Sequence, residues 1–418
     1  MKHAIPTERL GPLGVPMAHA VQACVHCGFC LPTCPTYQVL GQEMDSPRGR
    51  IVLMKDVLEG RLSLEQALPH IDACLGCLAC ETACPSGVLY RDLISPFRDY
   101  AEKKRERGIW DNFKRFALLQ TLPYPRRFRV AARLAGWARP LARLMPRAVR
   151  PMFALLPKKL PPPEALDSFY PADGPRRARV ALLSGCVQPV LAPEINQSTV
   201  SLLTRNGVEV VIPPEQGCCG SLGWHIGEAG EAREKAAQNL VAFPFTEVDA
   251  IITNAAGCGS GLREYPLMLR GTPLEEAARA FAAKVRDICQ FLDELGIAPP
   301  PDPNRSITVA YHDACHLAHG QGVWAAPRRL LHQIPGLVVK EISDPEVCCG
   351  SAGTYNIDQP ETAAELGRRK AAAIMATGAE FVVTGNIGCL TQLQAHLPPG
   401  TRIMHTVELL DRVYRSAL

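Results

Sequence analysis

Two runs of cysteine share one spacing: Cys24, Cys27, Cys30, Cys34, Pro35 and Cys74, Cys77, Cys80, Cys84, Pro85. Each reads C-x2-C-x2-C-x3-C-P. That is the spacing of a paired [4Fe–4S] site, in which three thiolates of one run hold one cluster and the fourth crosses to the other. The predicted ligand sets are therefore Cys24, Cys27, Cys30 and Cys84 for one cluster, and Cys74, Cys77, Cys80 and Cys34 for the second. Structural zinc usually takes two close pairs of ligands, which two proline-ended runs of four do not resemble. Two clusters side by side suit the movement of single electrons.

The remaining cysteines also fall into ligand-like groups. The chain has 17 cysteines in 418 residues, and this grouping favours a reducing compartment over a disulfide framework. Met1 to Leu13 has neither an apolar h-region nor a twin arginine, so no export signal is expected. No apolar run reaches the length of a membrane span, and cytoplasmic residence is expected. The net charge of +4 is unevenly spread, because residues 112–163 hold twelve Lys or Arg and no Asp or Glu. There Arg126, Arg127, Arg129, Arg133, Arg139, Arg143, Arg147 and Arg150 alternate with Phe128, Leu134, Trp137, Leu141, Leu144, Met145 and Val149. A basic, amphipathic stretch of this kind suits a membrane surface or a docking partner. It lacks the pattern of a nucleic-acid reader, so no nucleic acid is expected as a partner.

The chain divides into four parts. Residues 15–105 form a helical, ferredoxin-like module for two [4Fe–4S] clusters. Within it Ser46 to Arg50 is expected to break the chain before a helix over Ile51 to Leu58. Residues 106–177 form a basic connector rich in Pro and Arg, whose prolines forbid one long helix. Residues 178–298 and 304–418 each alternate short β-branched runs with helical stretches, the pattern of an α/β domain with a parallel sheet. Strands are expected at Val180–Leu183, Val208–Ile212, Ala250–Thr253, Ile307–Tyr311, Leu337–Glu341 and Phe381–Thr384, and helices at Glu194–Asn206 and Glu228–Ala242. The fold class is α+β multidomain: a dicluster module followed by two repeated parallel-sheet domains. The repeat is visible in the cysteines. Cys186, Cys218-Cys219-Gly220 and Cys258 recur as Cys315, Cys348-Cys349-Gly350 and Cys389, at offsets of 129, 130 and 131 residues. Duplication explains this simply.

In each half these cysteines follow the C-terminal ends of three strands, the edge at which open α/β sheets bind ligands. Four thiols per half make a further metal or cluster site plausible; buried structural thiols are the alternative. Cys289, within the apolar stretch Val285 to Leu292, is expected to be core. His312, His316 and His319 surround Cys315, and the balance between ligands and ordinary histidines favours the ordinary. His26 lies inside the first run, where it could tune a cluster. The glycines of Ala256 to Gly261 lack the ending of a phosphate loop. No hydrolase triad and no flavin or nicotinamide fingerprint is present, so no catalytic residue is assigned. The chemistry of the substrate belongs on another subunit.

A dicluster module followed by two CCG domains resembles a group that includes heterodisulfide reductase subunits, the third subunit of anaerobic glycerol-3-phosphate dehydrogenase, and the iron–sulfur subunit of glycolate oxidase. Ala23 to Cys30, Thr33 to Tyr37, Pro47 to Ile51, Cys348 to Tyr355 and Asn386 to Cys389 look most like the last. That resemblance implies a complex in which FAD on partner subunits, and not on this chain, oxidises glycolate to glyoxylate. Electrons would then pass through the clusters of this chain to a quinone-type acceptor, with possible peripheral membrane contact through residues 112–163. D-lactate or glycerol-3-phosphate dehydrogenase systems, or a CCG reductase, are alternatives. The CCG halves depart from the heterodisulfide reductase pattern, in which each half ends in C-x-x-C. Here Cys258 is followed by Gly261 and Cys389 by Gln392, so a five-thiolate cluster lacks its last ligand.

Overall fold

The computed structural model describes residues 1–140, 153, 155–157 and 159–417. Short helices wrap the two cysteine runs. Helix α1 (Gly14–Ala23) buries Met17, Ala18 and Val21 and delivers Cys24 in extended backbone at its C-terminus. Helix α2 (Pro35–Leu40) starts directly after Cys34. Helix α3 (Pro47–Leu58) starts four residues before the expected Ile51. Ser46, read from sequence as part of a break, is its N-cap and accepts from the Gly49 N–H at 3.0 Å. Proline fits at N1 because that position needs no N–H donor. Helix α4 (Leu64–Asp72) carries a Ser63/Gln66 capping box. A single turn, α5 (Ala79–Thr82), lies inside the second run. Helix α6 (Arg91–Glu102) buries Leu93, Ile94, Phe97 and Ala101, a spacing that places them on one helical face.

The connector holds α7 (Ile109–Thr121) and α8 (Pro125–Ala138), separated at Pro123 and Pro125. Short helical pieces are what its prolines predict. Leu141, Arg143, Leu144, Met145, Arg147, Val149 and Arg150 lie outside the described residues. One feature of the connector is unforeseen: strand β1 (Phe169–Tyr170) pairs antiparallel with β3 and edges the first sheet.

The first half runs β2 (Ala178–Leu182), α9 (Glu194–Arg205), β3 (Val208–Val211), α10 (Ser221–Ile226), α11 (Ala229–Ala242), β4 (Ala250–Thr253), α12 (Ala256–Arg263), α13 (Glu275–Ala283), β5 (Val285–Asp287) and α14 (Ile288–Leu295). The second runs β6 (Ile307–His312), α15 (Ala325–His332), β7 (Leu337–Glu341), α16 (Pro360–Ala376), β8 (Phe381–Thr384), α17 (Ile387–His396), β9 (Arg402–His405) and α18 (Thr406–Tyr414). The sheet orders are β1-β3-β2-β4-β5 and β7-β6-β8-β9. Within each half every strand pair is parallel apart from β1 with β3. Register repeats with the sequence. Val180 lies between Val210 and Ala250, and Val309 lies between Val339 and Phe381. Strands β5 and β9 escaped the sequence reading. Val285–Asp287 opens the apolar stretch Val285 to Leu292 as a strand, and the rest of that stretch lies in α14, in which Cys289 is buried.

Both faces of the first sheet are covered, which is why its strands read as continuous apolar runs. Val180, Leu182, Ala250 and Ile252 share one core with Val309, Tyr311, Phe381 and Val383 of the second sheet. Ala181, Leu183 and Ile251 face the other way, into a core shared with Met17, Met54 and Phe97 of the dicluster module. The first half is therefore held between its repeat and the cluster-binding helices.

The glycine after each cysteine pair has a packing reason. Gly220 and Gly350 have φ of +78° and +92°. A Cβ on Gly220 would meet the Ala232 carbonyl oxygen at 3.0 Å, and one on Gly350 the Ala363 carbonyl oxygen at 2.6 Å. Each glycine lets the cysteine turn press against the backbone of the following long helix. Gly350→Ala is expected to cost about 1–3 kcal/mol, and Gly220→Ala less. Urea unfolding midpoints of the two variants check the order.

Candidate metal centres

The two cysteine runs adopt the same local backbone. Left-handed φ occurs at His26 (59°) and Gly28 (87°) in the first, and at Gly76 (67°) and Leu78 (64°) in the second. These positions correspond at an offset of 50 residues. Such alternation curls the chain around a centre and turns its N–H groups inward. At Gly28 a Cβ would lie 2.9 Å from Arg48 Nη1, a contact that the flexible Arg48 side chain can relieve, and the matching position in the second run carries Leu78.

Tertiary packing brings the runs together in crossed fashion. Cys24, Cys27, Cys30 and Cys84 line one cavity of about 30 Å³ together with Cys80, Ile51, Val88 and Tyr90. Cys34, Cys74, Cys77 and Cys80 line a second of about 20 Å³ with Arg50 and Tyr90. The first opens to the surface: Cys27 is exposed, and Val25 and Phe29 beside it are 63 % and 65 % exposed. The second is buried, with Cys34, Cys74 and Cys77 all sheltered from solvent.

Arg50 organises the buried site. Its side chain is 1 % exposed. It donates to the His70 carbonyl at 2.6 Å and to Thr36 Oγ1 at 2.9 Å, and Nη1 lies 3.9 Å from Cys34 Sγ. Asp45 stands 3.5 Å from its Nη2. Burial opposes the Cys74 thiolate. The guanidinium groups of Arg50 and Arg98, the Gly76 N–H and the Tyr90 hydroxyl outweigh it and hold that thiol below the ordinary range. Cys77 and Cys80 lack such help; burial first and neighbouring thiols second push both well up. At the surface site burial raises Cys30 to about 11 and also raises Cys24. Burial is outweighed at Cys84, whose sulfur accepts from Ser86 and from the Val88 N–H, and that thiol is lowered. Sulfurs so arranged ionise together only around a cationic core, so the donor set suits iron–sulfur clusters.

Each CCG half also gathers its four cysteines. Cys186 Sγ lies 3.5 Å from Cys218 Sγ, and Ser221 Oγ lies 3.1 Å from Cys219 Sγ. Hydrogen bonding from Cys218 and Cys258 holds Cys219 well below the ordinary thiol value. In the second half Cys315 Sγ is 3.8 Å from Cys348 Sγ, and Asn386 Nδ2 donates to Cys389 Sγ at 3.4 Å. The second half has an additional donor. One ring nitrogen of His312 lies with the sulfurs of Cys349 and Cys389 inside a mutual 4.8 Å. Neither nitrogen of this buried ring has a hydrogen-bond partner among the described residues. At the offset of 129 the first half carries Leu183. The three histidines around Cys315 thus divide. His316 Nε2 donates to the Gly76 carbonyl at 3.0 Å. His319 is held between Thr82 and the Glu346 carbonyl. His312 alone faces the thiols, a distinction that spacing does not carry.

The sites adjoin one another. Cys77 of the buried dicluster site packs in one apolar cluster with Cys315 and Cys348. His316 lies between the halves, 5.2 Å ring to ring from His225 of the first. Arg98 bonds the Cys74 carbonyl at 2.5 Å and the His225 carbonyl at 2.8 Å.

Comparison with known proteins agrees with this architecture. A 4Fe-4S dicluster domain model matches residues 20–88, and a cysteine-rich domain model matches residues 180–263 and again 309–394. The probable glycolate oxidase iron-sulfur subunit of Bacillus subtilis is 38 % identical, over 93 % of this chain and 92 % of that protein. The glycolate oxidase iron-sulfur subunit of Escherichia coli is 35 % identical, over 94 % of each. The chain belongs to the glycolate oxidase iron–sulfur subunit family. Like the family, it is an iron–sulfur, electron-transfer subunit of an oxidoreductase, with 4Fe-4S dicluster and CCG domains. Lactate utilization protein A of Oceanobacillus iheyensis is 32 % identical over 56 % of this chain and 96 % of that protein. A hypothetical protein of Helicobacter pylori has a related fold, with a TM-score of 0.53 at 9 % identity over 88 % of this chain and 68 % of that one. Among the described residues no helix is long and apolar enough to cross a membrane.

Removing Arg50 would leave Asp45 buried and the Cys34 and Cys74 thiolates without their cation. Arg50→Ala is expected to lower stability by about 3–5 kcal/mol, the cost of orphaning a buried charge. It should also destabilise the buried cluster before the surface one. Denaturant unfolding, together with iron content and EPR of the reduced protein, checks both.

Proposed function

We propose that this chain carries electrons from FAD-bearing partner subunits, which oxidise glycolate to glyoxylate, to a quinone at a membrane surface. The observation that carries the reading is the order of the thiol sites. A solvent-facing site at Cys27 leads to a buried one at Cys77, which abuts the CCG thiols Cys315 and Cys348. We assign Cys24, Cys27, Cys30 and Cys84 to the surface cluster and Cys34, Cys74, Cys77 and Cys80 to the buried one. The CCG thiols Cys186, Cys218, Cys219 and Cys258, and Cys315, Cys348, Cys349 and Cys389 with His312, are the further metal sites. A bound [4Fe–4S] cluster supplies reversible one-electron storage. The chain's own residues set the thiolate geometry, the burial and the hydrogen bonds to sulfur that tune it. Exposed Val25 and Phe29 beside Cys27 provide the surface on which a flavin subunit would dock.

The membrane contact is assigned to α7 and α8. Ile109, Trp110, Phe113 and Phe116 on α7, and Val130, Leu134 and Trp137 on α8, are all more than half exposed. Arg126, Arg127 and Arg133 stand exposed beside them. Aromatic and cationic side chains on one face fit the interface of an anionic bilayer. The lactate utilization relative supports lactate as the alternative substrate, of which D-lactate is the form expected from the sequence; either acid would be handled by the flavin partner.

Cys84→Ser is expected to remove the surface cluster and spare the buried one, and Cys34→Ser the reverse. Mössbauer and EPR spectra of the two variants check the crossing; the same cluster lost in both would refute it. In the assembled complex, anaerobic glycolate should bleach the flavin and reduce the clusters, whereas reduction by D-lactate alone would move the substrate assignment. The chain should float with anionic vesicles at low salt, and salt should release it as screening predicts. Trp110→Ser with Trp137→Ser should abolish flotation.

A further inference from the structure

A cavity of about 370 Å³ lies where the two CCG halves meet the connector helices. Its walls bring together residues from α7 and α8, the Cys186, Cys218, Cys219 and Cys258 group, and the loop around Cys315 and His316. The dicluster cavities, each framed by the thiols of a complete ligand set, measure only about 30 and 20 Å³. This space is more than ten times larger and falls in the range of pockets that hold a drug-sized molecule. The lining is mainly apolar, with Leu118, Leu122, Phe128, Leu183, Leu222 and Ile387 among the contributors.

Three polar side chains in the wall have atoms without partners among the described residues: Gln188 Oε1, Thr253 Oγ1 and His225 Nε2. Gln188 and Thr253 are 3 % and 1 % exposed. Gln188 spends its Nε2 on Asn196 and Asn254, at 2.9 and 2.7 Å, so its carbonyl faces no donor. Leaving buried polar atoms unpaired is costly, and these three residues are polar members of an otherwise mainly apolar wall, the composition of a pocket that orients a ligand.

The roof of the cavity is two-sided. Phe128, Ala131, Ala132 and Ala135 of α8 line the interior, while Val130, Leu134 and Trp137 of the same helix face outward. Both sets follow helical spacing, so a single helix separates the cavity from the exposed aromatic surface.

We infer that this cavity binds the ring of a lipophilic quinone and is the site at which electrons leave the chain. The inference rests on the proposed quinone acceptor and gives it a location. Thr253 and His225, in its N–H tautomer, are the wall residues that would donate to the quinone carbonyls, and Gln188 the one that would accept from the quinol hydroxyl, once their side chains turn toward the ring. Two electrons, delivered singly from the reduced iron–sulfur centres, and two protons from water convert the quinone to the quinol. Each carbonyl oxygen gains one O–H bond, and the iron–sulfur centres are reoxidised. The Cys186 to Cys258 thiols in the wall set the electron donor against the ring, and the tail leaves toward α7 and α8.

The test uses the full-length, cluster-loaded chain, reduced with dithionite so that no flavin partner or substrate enters. A photoreactive azido-benzoquinone should label peptides of α8 or residues 183–191 and 253–258. Labelling confined to the Cys27 rim would overturn the assignment. Stopped-flow reoxidation by a short-tail benzoquinone is compared with reoxidation by ferricyanide, which needs no apolar site. In Ala132→Phe and Ala135→Phe the ratio of the quinone rate to the ferricyanide rate should fall about tenfold, equivalent to about 1.4 kcal/mol. An unchanged ratio in both variants would place the quinone elsewhere while leaving the acceptor reading intact. A wild-type chain that ferricyanide oxidises and benzoquinone does not would remove both. Should either variant fail to retain its iron, labelling of the unaltered chain decides.

Discussion

Sulfur ligands gathered in a low-dielectric interior cannot all be charged unless a cation sits among them. The structure is arranged around that constraint. Burial lifts Cys77 and Cys80 as free thiols, hydrogen bonding with neighbouring thiols and then burial leave Cys315 and Cys348 raised, and where a thiolate is favoured a fixed charge or donor stands next to it, as Arg50 does for Cys74. The helices of the dicluster module are too short to be stable alone. They depend on the shared core with the first sheet, through Ala181, Leu183 and Ile251, and on the centres they enclose. Metal binding and folding of this module are thus one equilibrium.

Duplication supplies the second organising element, and the two copies diverge at their thiol sites. Both halves place cysteines at the same strand ends and the same glycine against the same helix carbonyl. One half then turns its site toward a large apolar cavity with unpaired polar atoms. The other packs Cys315 and Cys348 against Cys77 and adds His312. The common core between the two sheets, with Val180 and Val309 at equivalent places, holds these unlike sites in one frame.

In the proposed function the connector ties electron transfer to location. A stretch that reads as a basic linker forms two helices with opposed faces. One roofs the cavity, and the other presents Trp110 and Trp137, each at least 80 % exposed. Exposed aromatic surface of that extent marks an interaction site.

Much of this was legible in the residues. The eight cysteines of the two runs, the six strands β2, β3, β4, β6, β7 and β8, and the duplicated cysteine pattern are local signals, because ligand spacing and β-branched runs act over a few residues. The sequence reading missed what depends on neighbours. Strands β1 and β5 are two and three residues long and exist only because β3 and β4 offer edges to pair with. Helix α3 starts at Pro47 because Ser46 caps it, where proline and glycine had suggested a break. His312 cannot be told from His316 or His319 by spacing; only the packing of β6 against β8 and α17 sets its ring beside Cys349 and Cys389. The sequence by itself determined which residues can hold iron and sulfur, since that chemistry is written in residue type and spacing. The tertiary structure alone decided which thiol sites touch, which one meets solvent and which one meets a cavity, since those are relations among segments hundreds of residues apart that only burial of shared apolar surface brings together.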